Sequence, residues 1–468
     1  MRDANLLHAA LTRAEWKGRR VLILGLGQYP QGSGVTAALT FARLGAAVTV
    51  TDLKTRHELA GNVRRLSRFK NVRFVLGGHR LHDVRGAEII VANPRVRPSS
   101  KELTLARRLG IPVTSDVALF LDRCPSLVIA VTGTRGKSTT SSLIAAMANA
   151  SGMKVWLGGN ILISPLAFLT KVKPRDVVVL ELSSWQCESL ASSKAPRIAV
   201  VTNMMRDHLN TYDGMDDYAE AKAQIFRHQS SRDVVILNAD DAYGRAWIRE
   251  APGRVKTFSS KRGSDASVTG SAIRVGSCAY PMSATKLVGS HNAMNAAAAI
   301  LAARAAGVSR SAIRKGLNTF KPLPNRLETV RVLRSVTYVN DTCATTPDGT
   351  IAAIEALSSG HRHLWLIAGG ADKELEYGEL AKTVKKHHPH IHTLLLPGDA
   401  SMKIRRALVK VRAHIHPVSD VASAVSEAAR RVVKGDAVVL SPGAASFNQF
   451  ANEFERGKSF VHQVMRLR

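Results

Sequence analysis

Residues 130–150 read AVTGTRGKSTTSSLIAAMANA. The usual phosphate loop, G-x-x-x-x-G-K-[ST], would need a glycine at position 131, but that position is Val131. The nearest upstream glycine is Gly133, so the loop is the shorter G-x-x-G-K-S. An apolar strand predicted over 127–131 enters it, and the helix beginning STTSSL leaves it. Successive backbone N–H groups and the helix dipole then face one point, which suits an anion. In that setting Lys137 reaches the β and γ phosphates of a nucleotide and the Ser138 hydroxyl meets a magnesium ion. The competing reading is a plain glycine-rich turn.

The flanking strands carry the groups such a site needs. Magnesium-assisted phosphoryl transfer calls for carboxylate or neutral oxygen and nitrogen ligands close to the serine. Glu181, in VLELSSW, ends an adjacent predicted strand, and Asp207 and His208, in NMMRDHLNTY, follow the next one. Each alone reads as a solvated loop residue, whereas three on successive strand ends beside a phosphate loop read as one site. The segment DYAEAKAQIF (217–226) is predicted to be a helix packing through Ala219, Ala223 and Phe226. On that pattern Lys222 is a solvated helix lysine.

Outward from the loop, the chain reads as three α/β regions. The first opens RRVLILGLGQYPQGSGVTAALTFARLGAAVTVTD, in the order strand, glycine-rich turn, helix and second strand ending at Asp52. This is a Rossmann-like order, although QYPQGSG is inserted after Gly27. The second region holds SLVIAVTG, DVVVLELSS, RIAVVTNM and DVVILNADD, apolar runs each ending in a polar loop, as parallel strands presenting a site at their C-terminal ends do. The third repeats the design in VTYVNDT, HLWLIAGGADK, HTLLLPGD and DAVVLSPGAAS. The expected fold is α/β, with a Rossmann-like N-terminal domain at 1–112, a central P-loop-type ATPase domain with a mostly parallel sheet at 113–322, and a Rossmann-like C-terminal domain at 323–468. The length of 468 residues suits several cores rather than one.

Composition narrows the partners. The formal net charge of +30 raises nucleic acid or an anionic membrane. Lys and Arg are spread along the whole chain, however, with no basic tail, basic amphipathic helix or aromatic-interleaved stripe. A basic surface around an enzyme of anionic substrates fits better, with no specific nucleic-acid partner. No apolar run has the length of a membrane span and the N-terminus lacks a secretory pattern, so a cytoplasmic protein without membrane insertion is expected. Cys124, Cys187, Cys278 and Cys343 form no C-x-x-C pair and are expected reduced and mostly buried. The run KKHHPHIH (385–392) reads as a solvated helix-to-strand connection, with a metal cluster as the alternative.

Taken together, GTRGKST, GGN at 158–160, LELSSWQ, DHLNTY with YAEAK, GSHNAMNAAAA, LPNRLE, VNDTCATTP, GGADK and LSPGAASFNQFANEFERG resemble the motifs of the Mur ligases in the right order, essentially end to end. The shortened loop is that family's own form. The resemblance implies ATP-dependent amide-bond formation in peptidoglycan precursor synthesis, and the ending LSPGAASFNQF favours addition of D-glutamate to UDP-N-acetylmuramoyl-L-alanine. It further implies that Gly133, Thr134, Gly136, Lys137, Ser138 and Thr139 hold the phosphates of ATP. Ser138, Glu181 and His208 would ligate Mg2+ at two sites, one completed by Lys222 as a carbamylated lysine. Asn292 and Asn295 would lie near the adenine, Arg326 on the phosphates and Asp341 on the ribose. Asp52, Asn160 and Ser183 would meet the nucleotide-sugar, and Thr345, Lys373 and Ser446 the incoming D-glutamate.

The implied chemistry is attack of the muramoyl-L-alanine carboxylate on the γ-phosphate, then of the D-glutamate amine on the acyl phosphate, with closure about Pro322 and Pro324 excluding water. Lys137, Glu181, His208 and Lys222 are the catalytic set. A monomer acting on small molecules is expected. The alternatives are a related ligase adding another amino acid, and a basic ATP-binding or nucleic-acid-associated protein without ligase activity. Cys343, where many relatives carry lysine, Glu453 and the QYPQGSG insertion depart from the family pattern.

Overall fold

The computed structural model describes residues 11–161, 163–191, 193–208, 211–358, 360–387, 389–447 and 449–468. Three sheets organise the chain. The first contains β1 (Arg20–Leu24), β2 (Ala47–Asp52), β3 (Val72–Leu76), β4 (Ile89–Ala92) and β5 (Val113–Thr114), all parallel, in the order β3-β2-β1-β4-β5. The strand order switches side between β1 and β4, and the glycine-rich turn after β1 therefore lies beside the loop after β4. β5 pairs Val113 with Ile90, so the first sheet runs past the expected boundary at 112. A two-residue strand has no periodicity to read in the sequence.

The second sheet contains β6 (Leu127–Thr132), β7 (Val155–Gly159), β8 (Val177–Glu181), β9 (Ile198–Val201), β10 (Val234–Asn238), β11 (Arg254–Ser259), β12 (Ala266–Thr269), β13 (Ala272–Val275) and β14 (Cys278–Pro281). Its order is β14-β13-β12-β11-β10-β9-β6-β8-β7, parallel except for the antiparallel ribbon β12 to β14. Strands β6, β8, β9 and β10 are apolar on both faces and buried on both, hence their unbroken Val, Ile and Leu runs. β6 sits between β8 and β9, pairing Val131 with Glu181 and Thr132 with Val201. That register brings the ends of three strands, and the loops after them, side by side.

The third sheet contains β15 (Glu328–Leu333), β16 (Val336–Asn340), β17 (Leu364–Ala368), β18 (Ile391–Leu395), β19 (His414–Pro417) and β20 (Ala437–Leu440), ordered β15-β16-β20-β17-β18-β19 with only β15 antiparallel. The loops after β16, β20 and β17 are neighbours. By compactness the chain forms two units, one up to Thr285 together with Met294–Phe320, the other Lys286–Ala293 with Lys321–Arg468.

Two expectations need correction. Only Cys187 is buried; the other three cysteines are half-buried, and all four are free thiols. The KKHHPHIH run is only partly a solvated connection. His392 belongs to β18, its ring stacked 4.3 Å from Trp365 and 4.9 Å from His414 on the flanking strands. Its strand position, pointing into a row of aromatic neighbours, overrides the polarity of the segment. His388 lies outside the described residues. Among the described residues no helix is long and apolar enough to cross a membrane.

Candidate functional site

The loop after β6 is shaped by two glycines at which any side chain would be strained. Gly133 has φ 137° and Gly136 has φ 82°, both in the region open to glycine. A Cβ on Gly133 would stand 2.0 Å from Thr202 Oγ1, and one on Gly136 would stand 2.0 Å from Asn295 Oδ1. Gly136 caps the helix Lys137–Ala150, so its first turn opens onto the loop. The loop is laced to the segment after β9. Thr134 N–H donates to Asn203 O at 2.8 Å, and Thr134 Oγ1 accepts from Met205 N–H at 3.0 Å. Arg135 N–H donates to Asn203 Oδ1 at 2.9 Å.

Two lysines converge on one carbonyl. Lys137 Nζ donates to Gly133 O and Thr134 O, both at 2.9 Å, and Lys222 Nζ donates to Gly133 O at 3.0 Å. Lys222 is 1% exposed, which corrects the solvated-lysine reading. The helix Met215–Arg227 turns this side chain inward beneath the loop, where it also lies 4.7 Å from the Tyr218 ring centre. Helical periodicity put Ala219, Ala223 and Phe226 inside correctly, but the packing face is wide enough to include Lys222. Burial, and after it the charge of Lys137, lower the Lys222 pKa to about 7.

Glu181 ends β8 with 2% exposure. Its Oε1 accepts from Asn160 Nδ2 at 2.8 Å, and Asn160 N–H donates to Glu181 O at 2.7 Å. Two residues expected at the metal and at the substrate thus touch. Glu181 Oε2 is buried without a hydrogen-bond partner, a state that a cation would relieve. His208 has φ 55°, unusual for a residue with a side chain, and its ring lies 4.8 Å from Trp185 and 6.1 Å from Tyr218. Leu209 and Asn210 of the DHLNTY motif lie outside the described residues. The Glu181 carboxylate and the Ser138 hydroxyl are oxygen donors of the kind magnesium takes, and the His208 imidazole would add a nitrogen donor. Among the described residues no three His, Cys, Asp or Glu side chains form a metal cluster. Magnesium suits such a sparse set, since it retains water and takes substrate oxygens.

Ser138 and Thr139 lie in the first turn of the helix after the loop. Ser183 caps the helix Ser184–Glu188 in a reciprocal arrangement with Gln186, which gives it a structural task. Asp52 ends β2 in the first sheet. Its Oδ2 accepts from Leu26 N–H at 2.8 Å and Gly27 N–H at 2.9 Å, and its Oδ1 from Lys54 N–H at 2.8 Å. The acid therefore closes the glycine-rich turn, occupying two N–H groups that the motif offers to a phosphate. The inserted loop is anchored as well: Ser164 N–H donates to Gln31 O at 2.8 Å, and Ser164 Oγ to the buried Asp116 Oδ2 at 2.6 Å.

In the second unit, Asp341 follows β16 and accepts from Ser441 Oγ at 2.8 Å and Leu327 N–H at 3.1 Å. Burial raises its pKa to about 7 against those bonds and the nearby charge of Arg326. Lys373 Nζ donates to Thr345 Oγ1 at 3.1 Å, and Ser446 is buried in the loop after β20. Asn292 Nδ2 donates to Val288 O at 2.8 Å.

Sequence reasoning gave no role to Arg456, which is 2% exposed and ties these loops together. Its Nε donates to Thr342 Oγ1 at 3.1 Å, Nη2 to Thr342 O at 3.1 Å, and Nη1 to Ala444 O at 3.2 Å. Burial lowers its pKa to about 10. Asn203 was also passed over, since an asparagine two residues past a strand carries no signal of its own.

Known proteins resemble this chain along most of its length. The Mur ligase middle domain matches residues 131–303, and the Mur ligase glutamate ligase domain matches 325–444. A UDP-N-acetylmuramoylalanine–D-glutamate ligase of Roseiflexus sp. (strain RS-1) is 39% identical, covering 95% of this chain and 97% of its own. The enzymes of the same name from Anaeromyxobacter dehalogenans (strain 2CP-C) and Acetivibrio thermocellus are 37% and 35% identical over 95% and 96% of this chain and 97% and 96% of theirs. Among solved structures, the UDP-N-acetylmuramate-alanine ligase of Thermotoga maritima superposes with TM-score 0.59 at 18% identity, covering 95% of this chain and 99% of its own. A UDP-N-acetylmuramoylalanyl-D-glutamyl-2,6-diaminopimelate–D-alanyl-D-alanyl ligase of Acinetobacter baumannii does so with TM-score 0.62 at 18% identity, covering 95% and 93%. With two family domains matched around the phosphate loop and the third sheet, and relatives of that identity aligned along nearly their whole length, the chain belongs to the Mur ligase family.

Proposed function

We propose that the protein is an ATP-dependent ligase that joins D-glutamate to UDP-N-acetylmuramoyl-L-alanine, releasing ADP and phosphate, in peptidoglycan precursor synthesis. The observation that carries this reading is the end-to-end similarity to D-glutamate ligases, at 34–39% identity across distant organisms. The site chemistry supports it. The helix opening after Gly136, with Lys137, suits the triphosphate, and Asn292, Asn295, Arg326 and Asp341 are assigned to the rest of ATP. Asp52, Asn160 and Ser183 are assigned to the nucleotide-sugar, and Thr345, Lys373 and Ser446 to D-glutamate. The working division is 1–112 for the nucleotide-sugar, 113–322 for ATP and 323–468 for the amino acid.

In the first step an oxygen of the alanyl carboxylate bonds to the γ-phosphorus and the bond to ADP breaks. Lys137 and Arg326 offset the charge on the transferring group. In the second, the D-glutamate amine bonds to the acyl carbon, phosphate leaves with its bonding pair and the amine loses a proton. Magnesium, when bound, neutralises phosphate oxygens; Ser138, Glu181, His208 and a carbamylated Lys222 are the residues assigned to hold two such ions. A buried amine of lowered pKa is the form of lysine that reacts with carbon dioxide, which supports that modification. The enzyme is taken to act as a cytoplasmic monomer. Phosphate release measured with UDP-N-acetylmuramoyl-L-alanine and a panel of amino acids tests the reading. Dependence on D-glutamate is expected, and release driven by another amino acid would move the substrate while leaving the reaction type.

A further inference from the structure

The assigned reaction leaves Arg135 without a task, although it stands inside the phosphate loop. Its backbone is fixed at both ends, the N–H by Asn203 Oδ1 at 2.9 Å and the carbonyl by Thr202 Oγ1 at 2.5 Å and Asn203 Nδ2 at 3.2 Å. Its guanidinium Nη1 lies 3.3 Å from Asp207 Oδ2, and both side chains are largely shielded, with 32% and 12% exposure. Asp207 holds the next residue: its Oδ1 accepts the His208 N–H at 3.0 Å, and its Oδ2 lies 3.7 Å from His208 Nε2.

His208 needs such support. Its φ of 55° is a left-handed conformation that a residue with a Cβ keeps only where the surroundings enforce it. The Trp185 and Tyr218 rings flank the imidazole, and the Thr211 N–H closes back on the His208 carbonyl at 2.8 Å. Those contacts belong to the His208 loop and its own surroundings. The Arg135 to Asp207 pair is different in kind, because it runs from the phosphate loop to the residue beside the imidazole. The two side chains start from held positions, since the Arg135 backbone is pinned and the short Asp207 carboxylate is engaged by the His208 N–H. A pair shielded to this degree is screened less by salt than an ordinary surface pair.

We propose that Arg135 is a positioning residue that presets His208 through Asp207, so that the magnesium-facing geometry of His208 depends on the phosphate loop. The inference rests on the ligase reading, in which His208 meets magnesium beside the triphosphate. A direct phosphate contact by Arg135 is a different mechanism with a different signature. It would strengthen nucleotide binding whether or not the metal is present, whereas positioning of His208 matters only when magnesium is there.

The test is calorimetric titration of the full chain with the non-hydrolysable β,γ-imido analogue of ATP, in magnesium and again in EDTA, for the parent protein and the variants R135A, R135K and D207N. The expected result is that R135A and D207N each lose about tenfold of the enhancement that magnesium gives, while affinity in EDTA stays within twofold. R135K should recover part of the loss, and R135A combined with D207N should lose no more than either alone. Equal weakening with and without magnesium would overturn the proposal in favour of a phosphate contact, and an unchanged enhancement in R135A, R135K and D207N would overturn it outright. R135K and D207N keep the test informative if R135A fails to fold. Phosphate release by the parent protein separates this inference from the reading beneath it. No D-glutamate-dependent release would remove the ligase assignment, whereas an active parent with unaltered variants removes only the role of Arg135.

Discussion

Lys222 and Lys137 donate to the same oxygen, the Gly133 carbonyl, at 3.0 and 2.9 Å. Two ammonium groups on one carbonyl are mutually unfavourable, and the buried member yields: burial together with the Lys137 charge brings the Lys222 pKa to about 7 from 10.5. In the unfolded chain that amine holds its proton up to its ordinary pKa. The unfolded state therefore binds more protons between pH 7 and 10.5, and the stability of the ligand-free protein rises with pH across that window. Urea midpoints measured against pH should show this slope, at most about 1.4 kcal/mol per pH unit from one group. Lys222→Met should flatten it. A slope unchanged in the variant would assign the effect to other groups.

Gly136→Ala should destabilise the first unit by about 1–3 kcal/mol, from the left-handed backbone alone, with the contact to Asn295 adding to it. Under the proposed function it also removes ATP use by at least about a hundredfold, since the loop must shift to admit the methyl group. Thermal melting and steady-state kinetics with varied ATP check both parts. An alanine variant with parental KM for ATP would mean that the loop shape is unimportant to the nucleotide.

Asp52→Asn keeps the volume but weakens an acceptor that serves three backbone N–H groups. Hydrogen bonds to a charged group contribute about 1.5–3 kcal/mol each at most, so a loss of roughly 2 kcal/mol is expected. The KM for the nucleotide-sugar should rise while that for ATP stays put, because the acid closes the first-sheet turn and not the phosphate loop. Equal rises in both would show that Asp52 acts through general instability.

The fold was largely legible because parallel strands buried on both faces leave unbroken apolar runs such as LVIAVT and VVVLE. The ribbon β12 to β14 was not, since ASVT, AIRV and CAYP are short and half-exposed. Motif order pointed to Lys137, which begins the helix after β6, to Glu181, which ends β8, to His208 in the segment after β9, and to Asn160, which touches Glu181. Periodicity failed at Lys222, where helical spacing says nothing of whether a lysine meets water or a carbonyl. Arg456 was hidden for the converse reason. An arginine satisfied entirely by backbone and hydroxyl oxygens from distant loops leaves no local pattern in the sequence.

Asp341 carries the opposite sign to Lys222. Its pKa is raised from 3.8 to about 7, so the folded state binds the extra proton between those values and stability falls as pH rises through them. Asp341→Asn should remove that fall and leave the second unit more stable at pH 8. Under the proposed function it should also raise the KM for ATP about tenfold, the loss of one well-made hydrogen bond to the nucleotide. Denaturation at pH 5 and pH 8, paired with kinetics, separates the two effects. A variant less stable at pH 8 than its parent would contradict the assignment of a strained buried carboxylate.

The most direct test of the central claim is phosphate release from ATP by the purified chain with UDP-N-acetylmuramoyl-L-alanine and magnesium, comparing D-glutamate with L-glutamate, L-alanine, glycine and L-lysine. The account predicts release that requires D-glutamate and is matched mole for mole by the amide product. Release that is indifferent to the amino acid, or absent with all of them, would contradict it.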